Sequence, residues 1–285
     1  MYACVNGTRL FFDVDGAEFE CGKDGMIQRP VLFLLHGGPG GDHSSFKKVA
    51  GQLRDVAQLV YLDHRGSGRS DPCDLATNTM DQNIDDVESL RSYLGLDQII
   101  VLGSSYGGMV AQGYALRYPE ASARLILCST APSYRFMDEA KALIGEKGTA
   151  QQQKVCEYLW QGCFSNIDQL YEYYRVMGPL YATSFNSDKF ETGWKRGIRN
   201  FHQLNLGFTT FLTQFDYTSQ LKNIRCETLV LSGKEDWICS PLQSQIMADH
   251  IPHAELHIME GAAHSLADDK TDQFLEIVRE FVSRN

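Results

Sequence analysis

The sequence predicts an α/β fold, in which a mostly parallel eight-stranded sheet has helices on both faces and an inserted helical cap. Short apolar runs of strand length alternate with segments of helical periodicity along most of the chain, as expected for parallel strands joined by crossover helices. The alternation stops between residues 133 and 222, where strands of the Val/Ile/Leu type are absent and aromatic residues are dense. We therefore predict a core made of residues 1–132 and 223–285 and a cap made of residues 133–222.

The first predicted elements are two strands at residues 2–5 and 9–14, joined by Asn6-Gly7, a dipeptide typical of tight hairpin turns. Residues 18–29 are polar and rich in glycine, so we expect a loop there. Residues 30–35 are continuously apolar, which predicts a parallel strand buried on both faces.

The later elements are predicted from the same periodicities. In residues 83–94, Ile84, Val87 and Leu90 share one helix face, and Gly95 ends the helix. The other predicted core helices cover residues 44–53, 109–118, 241–250 and 271–283. The other predicted strands cover residues 58–62, 99–102, 124–128, 228–232 and 255–259, and cap helices are expected at residues 151–161 and 168–177.

Composition limits the classes of function. Hydrophobic residues make up 43% and charged residues 22% of the 285 residues, as in ordinary globular domains. The net charge of −10 argues against nucleic acid or an anionic membrane as a partner. The eight cysteines include no C-x-x-C pair, which favours reduced thiols over disulfides or zinc.

No secretory signal and no apolar run of transmembrane length is visible in the sequence. We therefore expect a soluble cytoplasmic protein that acts on a small molecule or a short peptide without a metal or other cofactor. The sequence does not indicate an oligomeric state.

The most informative motif is Gly-Ser-Ser-Tyr-Gly-Gly at residues 103–108, between an apolar strand and a helix. Gly-x-Ser-x-Gly is typical of a nucleophile on a sharp strand-to-helix turn, where small residues two before and two after the serine let strand and helix approach. Gly103 and Gly107 flank Ser105 in this way, whereas Ser104 lacks small residues at those positions. The pattern therefore selects Ser105 as the nucleophile.

A serine nucleophile needs a histidine base and an acid that orients the histidine. In one common arrangement both follow the serine along the chain, in loops after later strands. His264 lies in a small-residue loop after the strand at 255–259, which makes it the best candidate base. Asp236 follows the strand at 228–232 and is the preferred acid, with Glu235 as the alternative.

The reaction intermediate would carry an oxyanion, which two backbone N–H groups can stabilise. One donor is expected at Tyr106, directly after the nucleophile. The other is expected in the His-Gly-Gly-Pro-Gly-Gly loop at residues 36–41, at Gly38 or alternatively at Gly37. Glycine at these positions lets the backbone approach the reacting carbonyl without a side chain in between.

Taken together, five motifs resemble those of the proline iminopeptidase group of α/β-hydrolases, a group of serine peptidases. They are HGGPG at residues 36–40, DHRGSGRS at 63–70, GSSYGG at 103–108, GKED at 233–236 and GAAHS at 261–265. The resemblance covers the whole chain. It implies a Ser105/Asp236/His264 triad, an oxyanion hole from Gly38 and Tyr106, and release of an N-terminal proline or similar small residue without a metal.

The chain departs from this group at several positions, one of which concerns the substrate. Tyr106 stands where the group usually has tryptophan, and His64 where it usually has glutamine. Arg199 stands where we would look for a cap acid that holds the free amino group of the substrate. We expect Gly37, Arg199 and Trp237 to contribute to the substrate site.

Three functions follow from these residues. The first is a serine hydrolase that cleaves a small amide through an acyl-enzyme, with N-terminal proline peptides or amino-acid amides as substrates. The second keeps the triad and acts on a carboxylic ester or lactone, including acyl-homoserine lactones. The third is a non-catalytic binding protein on the same fold, which the complete Ser, Asp and His set disfavours. An epoxide or haloalkane hydrolase is disfavoured because it needs a carboxylate at position 105.

Overall fold

The computed structural model describes residues 1–284. Its strands are β1 (Tyr2–Val5), β2 (Thr8–Asp15), β3 (Phe19–Gly22), β4 (Gly25–Gln28), β5 (Val31–Leu35), β6 (Gln58–Leu62), β7 (Ile99–Ser104), β8 (Ser122–Cys128), β9 (Glu227–Gly233) and β10 (Ala254–Met259). Eight of them form one sheet in the order β1-β2-β6-β5-β7-β8-β9-β10. The β1/β2 and β2/β6 pairs are antiparallel and the others are parallel. The predicted fold class is confirmed.

The helices are α1 (Ser44–Lys47), α2 (Met80–Tyr93), α3 (Tyr106–Arg117), α4 (Phe136–Lys147), α5 (Ala150–Trp160), α6 (Ile167–Tyr181), α7 (Ser187–Arg196), α8 (Phe201–Thr209), α9 (Pro241–His250), α10 (Leu266–Asp269) and α11 (Thr271–Val282). Within residues 1–284, no helix combines the length and the apolar character needed to cross a membrane.

Apolar clusters cover both faces of the sheet, which explains the continuously apolar strands. Along β5, Phe33 and Leu35 pack into one cluster, while Leu32 and Leu34 pack into the other. Side chains alternate between the faces of a strand, so a strand covered on both sides is apolar at every position. This arrangement brings the carboxyl ends of the parallel strands to one edge of the sheet, where the loops after them meet.

Helices α4 to α8 lie between β8 and β9 in the chain, and we call them the inserted helices. The two ends of this segment are joined by the antiparallel bridge between Ser133 and Asp216. Next to the bridge, the Tyr217 N–H donates to the Pro132 carbonyl oxygen over 2.9 Å. The predicted cap boundaries at 133 and 222 lie close to this closure, and the division into a core and a cap domain stays a prediction.

Two local predictions were wrong. Residues 18–29, expected to form a loop, contain the β3/β4 hairpin, in which Phe19 pairs with Gln28. Its side chains are almost all exposed, so the sequence carries no alternation of apolar and polar residues that would mark a strand. Residues 44–53, expected to form one helix, divide into α1 and a 3-10 helix over Ala50–Asp55.

Candidate active site

Ser105 lies in the turn between β7 and α3, with φ +53° and ψ −120°. A non-glycine residue rarely has this conformation. The surroundings are tight: a Cβ on Gly103 would lie 2.2 Å from the Gly107 carbonyl oxygen, and a Cβ on Gly107 would lie 2.0 Å from the Leu35 carbonyl oxygen. The Ser105 N–H donates to the Cys128 carbonyl oxygen over 3.0 Å. The core sheet therefore holds the predicted strained turn in place.

His264 and Asp236 lie in the loops after β10 and β9, and His264 Nδ1 is 2.8 Å from Asp236 Oδ2. An ionised carboxylate can only accept hydrogen bonds, so Nδ1 carries the proton and Nε2 is available as a base. The buried Asp236 accepts through its other oxygen from the N–H groups of Ile238 and Cys239, each over 3.0 Å. Glu235, the alternative acid, is exposed to solvent.

Ser105 and His264 both line a cavity of about 850 Å³. Among the described residues, the Ser105 hydroxyl makes no hydrogen bond to His264, whose hydrogen-bonded partner is Asp236. Catalytic hydrogen bonds of this kind often tighten only in the complex with substrate. The structure thus brings the predicted nucleophile and base to the same cavity, with the base already oriented.

The glycine-rich loop after β5 packs directly on the turn that carries Ser105. A Cβ on Gly37 would lie 3.2 Å from the Ser105 Cβ. Gly38 has a φ of +130°, which side chains rarely permit. Within residues 1–284, neither the Gly38 N–H nor the Tyr106 N–H donates a hydrogen bond. Both predicted oxyanion donors are therefore free and belong to segments that adjoin Ser105.

His36 connects two glycine-rich loops, a role that the sequence did not reveal. Its Nε2 accepts from the His64 backbone N–H over 3.1 Å, so the proton is on Nδ1, which donates to the Gly37 carbonyl oxygen over 2.8 Å. Burial lowers the pKa of His36, which favours the neutral ring that this pattern needs. The only sequence signal was its position directly after β5.

Aromatic side chains of the inserted helices and of the loop between α6 and α7 form much of the cavity wall. They include Tyr174, Tyr181, Phe185, Phe190, Trp194 and Phe208. The sequence predicted that a few aromatic residues of this segment line a pocket but could not identify them, because others, such as Phe164 and Tyr173, pack against each other within the segment.

A sequence model of the alpha/beta hydrolase fold matches residues 30–271. The chain belongs to the α/β-hydrolase family. The proline iminopeptidase PfmaB from Pestalotiopsis fici is 32% identical over 280 residues, which cover 96% of this chain and 99% of that protein. This α/β-hydrolase is thus proline iminopeptidase-like, as its motifs predicted.

Solved structures agree on the fold of this hydrolase. The proline iminopeptidase from Mycobacterium smegmatis has a TM-score of 0.78 at 20% identity, covering 99% of this chain and 97% of that one. The enol-lactonase from Burkholderia xenovorans LB400 has a TM-score of 0.72 at 21% identity, covering 100% of both chains. At such identities the likeness shows the fold and does not distinguish the substrates.

The segment between α7 and α8 of the hydrolase is tied to the glycine-rich loop. The Ile198 N–H donates to the Asp42 carboxylate over 2.9 Å, and the Asn200 N–H donates to the Gly40 carbonyl oxygen over 2.8 Å. Arg199 lies between these two anchors and lines the cavity. The Arg199 backbone is therefore fixed relative to the loop that packs on Ser105.

The guanidinium of Arg199 is half-buried and has no carboxylate partner within the described chain. It donates to the carbonyl oxygens of Trp194 and Gly197, over 2.9 and 3.2 Å, and lies 4.3 Å from the centre of the Trp194 ring. Burial lowers the pKa of Arg199. The hydrolase thus keeps at the cavity wall a cation that makes no hydrogen bond to a carboxylate among the described residues.

Trp237 does not reach the cavity, contrary to the expectation that it contributes to the substrate site. It is buried and packs edge-on against Tyr181, with ring centres 5.6 Å apart. Tyr181 forms the wall instead and also contacts the His264 ring, at 5.5 Å between centres. The sequence shows that Trp237 follows the predicted acid Asp236, but it does not show which way the Trp237 side chain points.

Among residues 1–284 of the hydrolase, no group of three or more His, Cys, Asp or Glu side chains is arranged to hold a metal ion. Metal-independent activity stays a prediction, which a chelator can test.

Proposed function

We propose that this chain is a serine hydrolase in which Ser105 is the nucleophile, His264 the general base and Asp236 the acid that orients it. The observation that carries the proposal is the buried Asp236 carboxylate 2.8 Å from His264 Nδ1, with His264 and Ser105 lining the same cavity. This arrangement leaves His264 Nε2 as the atom that can accept the serine proton.

In the proposed reaction, Ser105 Oγ attacks the carbonyl carbon of the substrate while His264 Nε2 takes the hydroxyl proton. The imidazolium then gives that proton to the leaving amine or alcohol as its bond to the carbonyl carbon breaks. An acyl group remains on Ser105, and a water molecule activated by His264 hydrolyses it. Asp236 stabilises the imidazolium without itself taking the proton.

We further propose that the N–H groups of Gly38 and Tyr106 stabilise the oxyanion that forms on the substrate carbonyl. Both N–H groups are unused within residues 1–284, and donors fixed in advance cost no reorganisation when charge develops. Gly37 would serve as the contact surface beside the nucleophile, because its Cα faces the Ser105 Cβ.

For the substrate, we propose a small amide with an N-terminal proline or similar residue. The support is the 32% identity to a proline iminopeptidase over nearly the whole of both chains, together with the five motifs described above. Peptides and amino-acid amides are the expected forms of this substrate.

One observation favours a second candidate, a carboxylic ester or lactone. A free amino group would have to be held by carboxylates, and the carboxylates that line the described cavity are Asp42, Asp188 and Asp268. Asp42 already accepts from Arg69 and the Ile198 N–H, while Asp188 and Asp268 are exposed. The half-buried cation at the wall is Arg199, which would repel an ammonium group.

The two candidates are separated by substrates that differ in one feature. The first pair is proline β-naphthylamide and N-acetylproline β-naphthylamide, which differ only in whether the proline nitrogen is free. The second candidate is tested with p-nitrophenyl esters and acyl-homoserine lactones. The Ser105→Ala variant gives the background rate for each substrate. Cleavage of the free-amine amide but not of its acetylated form supports the aminopeptidase. Turnover of only esters or lactones would exclude it. An Arg199→Met variant that gains activity on the free amine would show that the cation selects against it.

A further inference from the structure

The loop that carries His264 is held by the inserted helices as well as by the core. The Ser265 N–H donates to the Tyr181 carbonyl oxygen over 2.7 Å, and Thr183 Oγ1 donates to the Gly261 carbonyl oxygen over 2.8 Å. The Tyr181 ring packs edge-on against the imidazole of His264. Residues on both sides of the histidine are therefore bonded to the end of α6 and the chain that follows it.

The Asp269 carboxylate connects the same two segments. Its Oδ2 accepts from the Thr183 N–H over 3.1 Å and from the Ala263 N–H over 2.9 Å. Its Oδ1 accepts from the N–H and the hydroxyl of Ser184, over 2.8 and 2.6 Å. One carboxylate thus bonds to two residues between α6 and α7 and to the residue directly before His264.

We propose that Asp269 is a positioning residue that couples the placement of residues 181–184 to the orientation of His264. Ala263 directly precedes His264 in the chain. A shift of the hydrogen bond between the Ala263 N–H and Asp269 therefore moves the His264 imidazole relative to Ser105. Hydrogen bonds to an ionised acceptor are stronger than neutral ones, and a neutral amide cannot accept through both of its polar atoms. The inference rests on the proposed role of His264 as the general base.

The Asp269→Asn variant tests this coupling because it keeps the shape of the side chain. The measurement is the rate constant for labelling by a fluorophosphonate, together with the labelled fraction, kcat and KM on the best substrate of the panel. We expect the labelling rate constant and kcat to fall about 10- to 100-fold, as for a small misplacement of a catalytic group. The labelled fraction is expected to stay the same, and KM to change less than about threefold.

A merely structural role would give a different result: fewer molecules would be labelled, at the wild-type rate constant. That outcome would overturn the proposal, as would an unchanged rate constant and fraction. The matched control is Asp272→Asn, an exposed carboxylate in the first turn of α11, which should label like the wild type.

A second variant tests the same link from the side of the inserted helices. Ser184→Ala removes the hydroxyl hydrogen bond to Asp269 but keeps the bond from the Ser184 N–H. Because only part of the link is lost, we expect the labelling rate constant to fall about two- to fivefold, less than the full effect of one charge-assisted bond. Combined with Asp269→Asn, its effect should be less than multiplicative, because both act on one contact. If Asp269→Asn does not fold, an unchanged rate constant in Ser184→Ala overturns the proposal. Failure of the proposed function would instead leave the wild type unlabelled.

Discussion

The turn that carries Ser105 and the loop that carries His264 are stabilised in different ways. The backbone of the Ser105 turn is held by contacts within the core: Gly103 and Gly107 pack closely there, and the Ser105 N–H donates to the Cys128 carbonyl oxygen at the end of β8. The His264 loop is bonded at Gly261 and Ser265 to residues that follow or end α6, outside the core sheet. The geometry of the turn at the proposed nucleophile is thus set by nearby glycines, whereas we propose that the position of the proposed base depends on the placement of residues 181–184.

The largest expected effect comes from removing the nucleophile at the turn. Ser105→Ala should lower kcat by at least about 10⁴-fold, because the triad acts as a unit, while the circular dichroism spectrum stays unchanged. Ser104→Ala should keep kcat within about tenfold of the wild type, since only Ser105 has the backbone of a nucleophile turn. Equal losses in both variants would contradict this assignment.

Removing the acid tests the other loop. Asp236→Asn should lower kcat on the order of 10³- to 10⁴-fold, because an amide no longer selects the His264 tautomer with the proton on Nδ1. Glu235→Gln is the matched control and should have kcat close to the wild-type value, because this neighbouring side chain is exposed. A larger loss in Glu235→Gln than in Asp236→Asn would move the acid to Glu235.

A substitution at Gly107 tests whether the Ser105 turn depends on close packing against the core. Gly107→Ala places a Cβ 2.0 Å from the Leu35 carbonyl oxygen, and overpacking of this kind should lower the free energy of unfolding by about 3 kcal/mol. The control is Gly145→Ala in α4, where a Cβ meets nothing within 4 Å; it should raise stability by up to about 1 kcal/mol. Urea unfolding of the two variants measures both. Equal stabilities would contradict the close contact.

The smallest expected effect concerns His64, whose ring packs edge-on against that of Tyr106, with ring centres 5.2 Å apart. Burial lowers the pKa of His64 well below its ordinary value, and within residues 1–284 neither ring nitrogen has a hydrogen-bond partner. The unfolded chain therefore binds a proton that the folded chain excludes, so the free energy of unfolding falls as the pH drops below about 6.5. Between pH 7 and pH 5, the free energy of unfolding of His64→Gln should therefore fall by about 2 kcal/mol less than that of the wild type.

The control for this pH dependence is His253→Gln, because His253 is exposed. Its loss of unfolding free energy between pH 7 and pH 5 should equal that of the wild type. If His64→Gln behaves in the same way as this control, the buried imidazole does not contribute to acid sensitivity.

The parts of the molecule that could be predicted from sequence are those with local causes. Strands such as β5 and β6 are marked by continuous apolar runs. The turn at Ser105 is marked by Gly103 and Gly107, which are needed because strand β7 and helix α3 approach each other closely there. The β3/β4 hairpin was missed because both of its faces are exposed and leave no periodic signal. The periodicity of the apolar residues in the strands and helices was sufficient to predict the fold class.

The contacts of the candidate site with the inserted helices were not predictable in the same way. Tyr181 lies far from His264 in sequence, and only the folded chain brings its ring to the imidazole. Asp269 follows His264 closely in the chain, but its bonds to Thr183 and Ser184 likewise exist only in the folded chain. Which way the Trp237 side chain points likewise depends on tertiary packing, because it packs against the Tyr181 ring. Arg199 could be recognised as a departure from the related peptidases, but its lack of a carboxylate partner became visible only in three dimensions.

The most direct test of the account is to locate the residue that reacts with a fluorophosphonate in the wild-type protein, by peptide mass spectrometry. We expect a single adduct on Ser105, with loss of hydrolase activity in proportion to labelling. An adduct on Ser104 or on another residue, or an unlabelled protein that still hydrolyses its substrate, would contradict it.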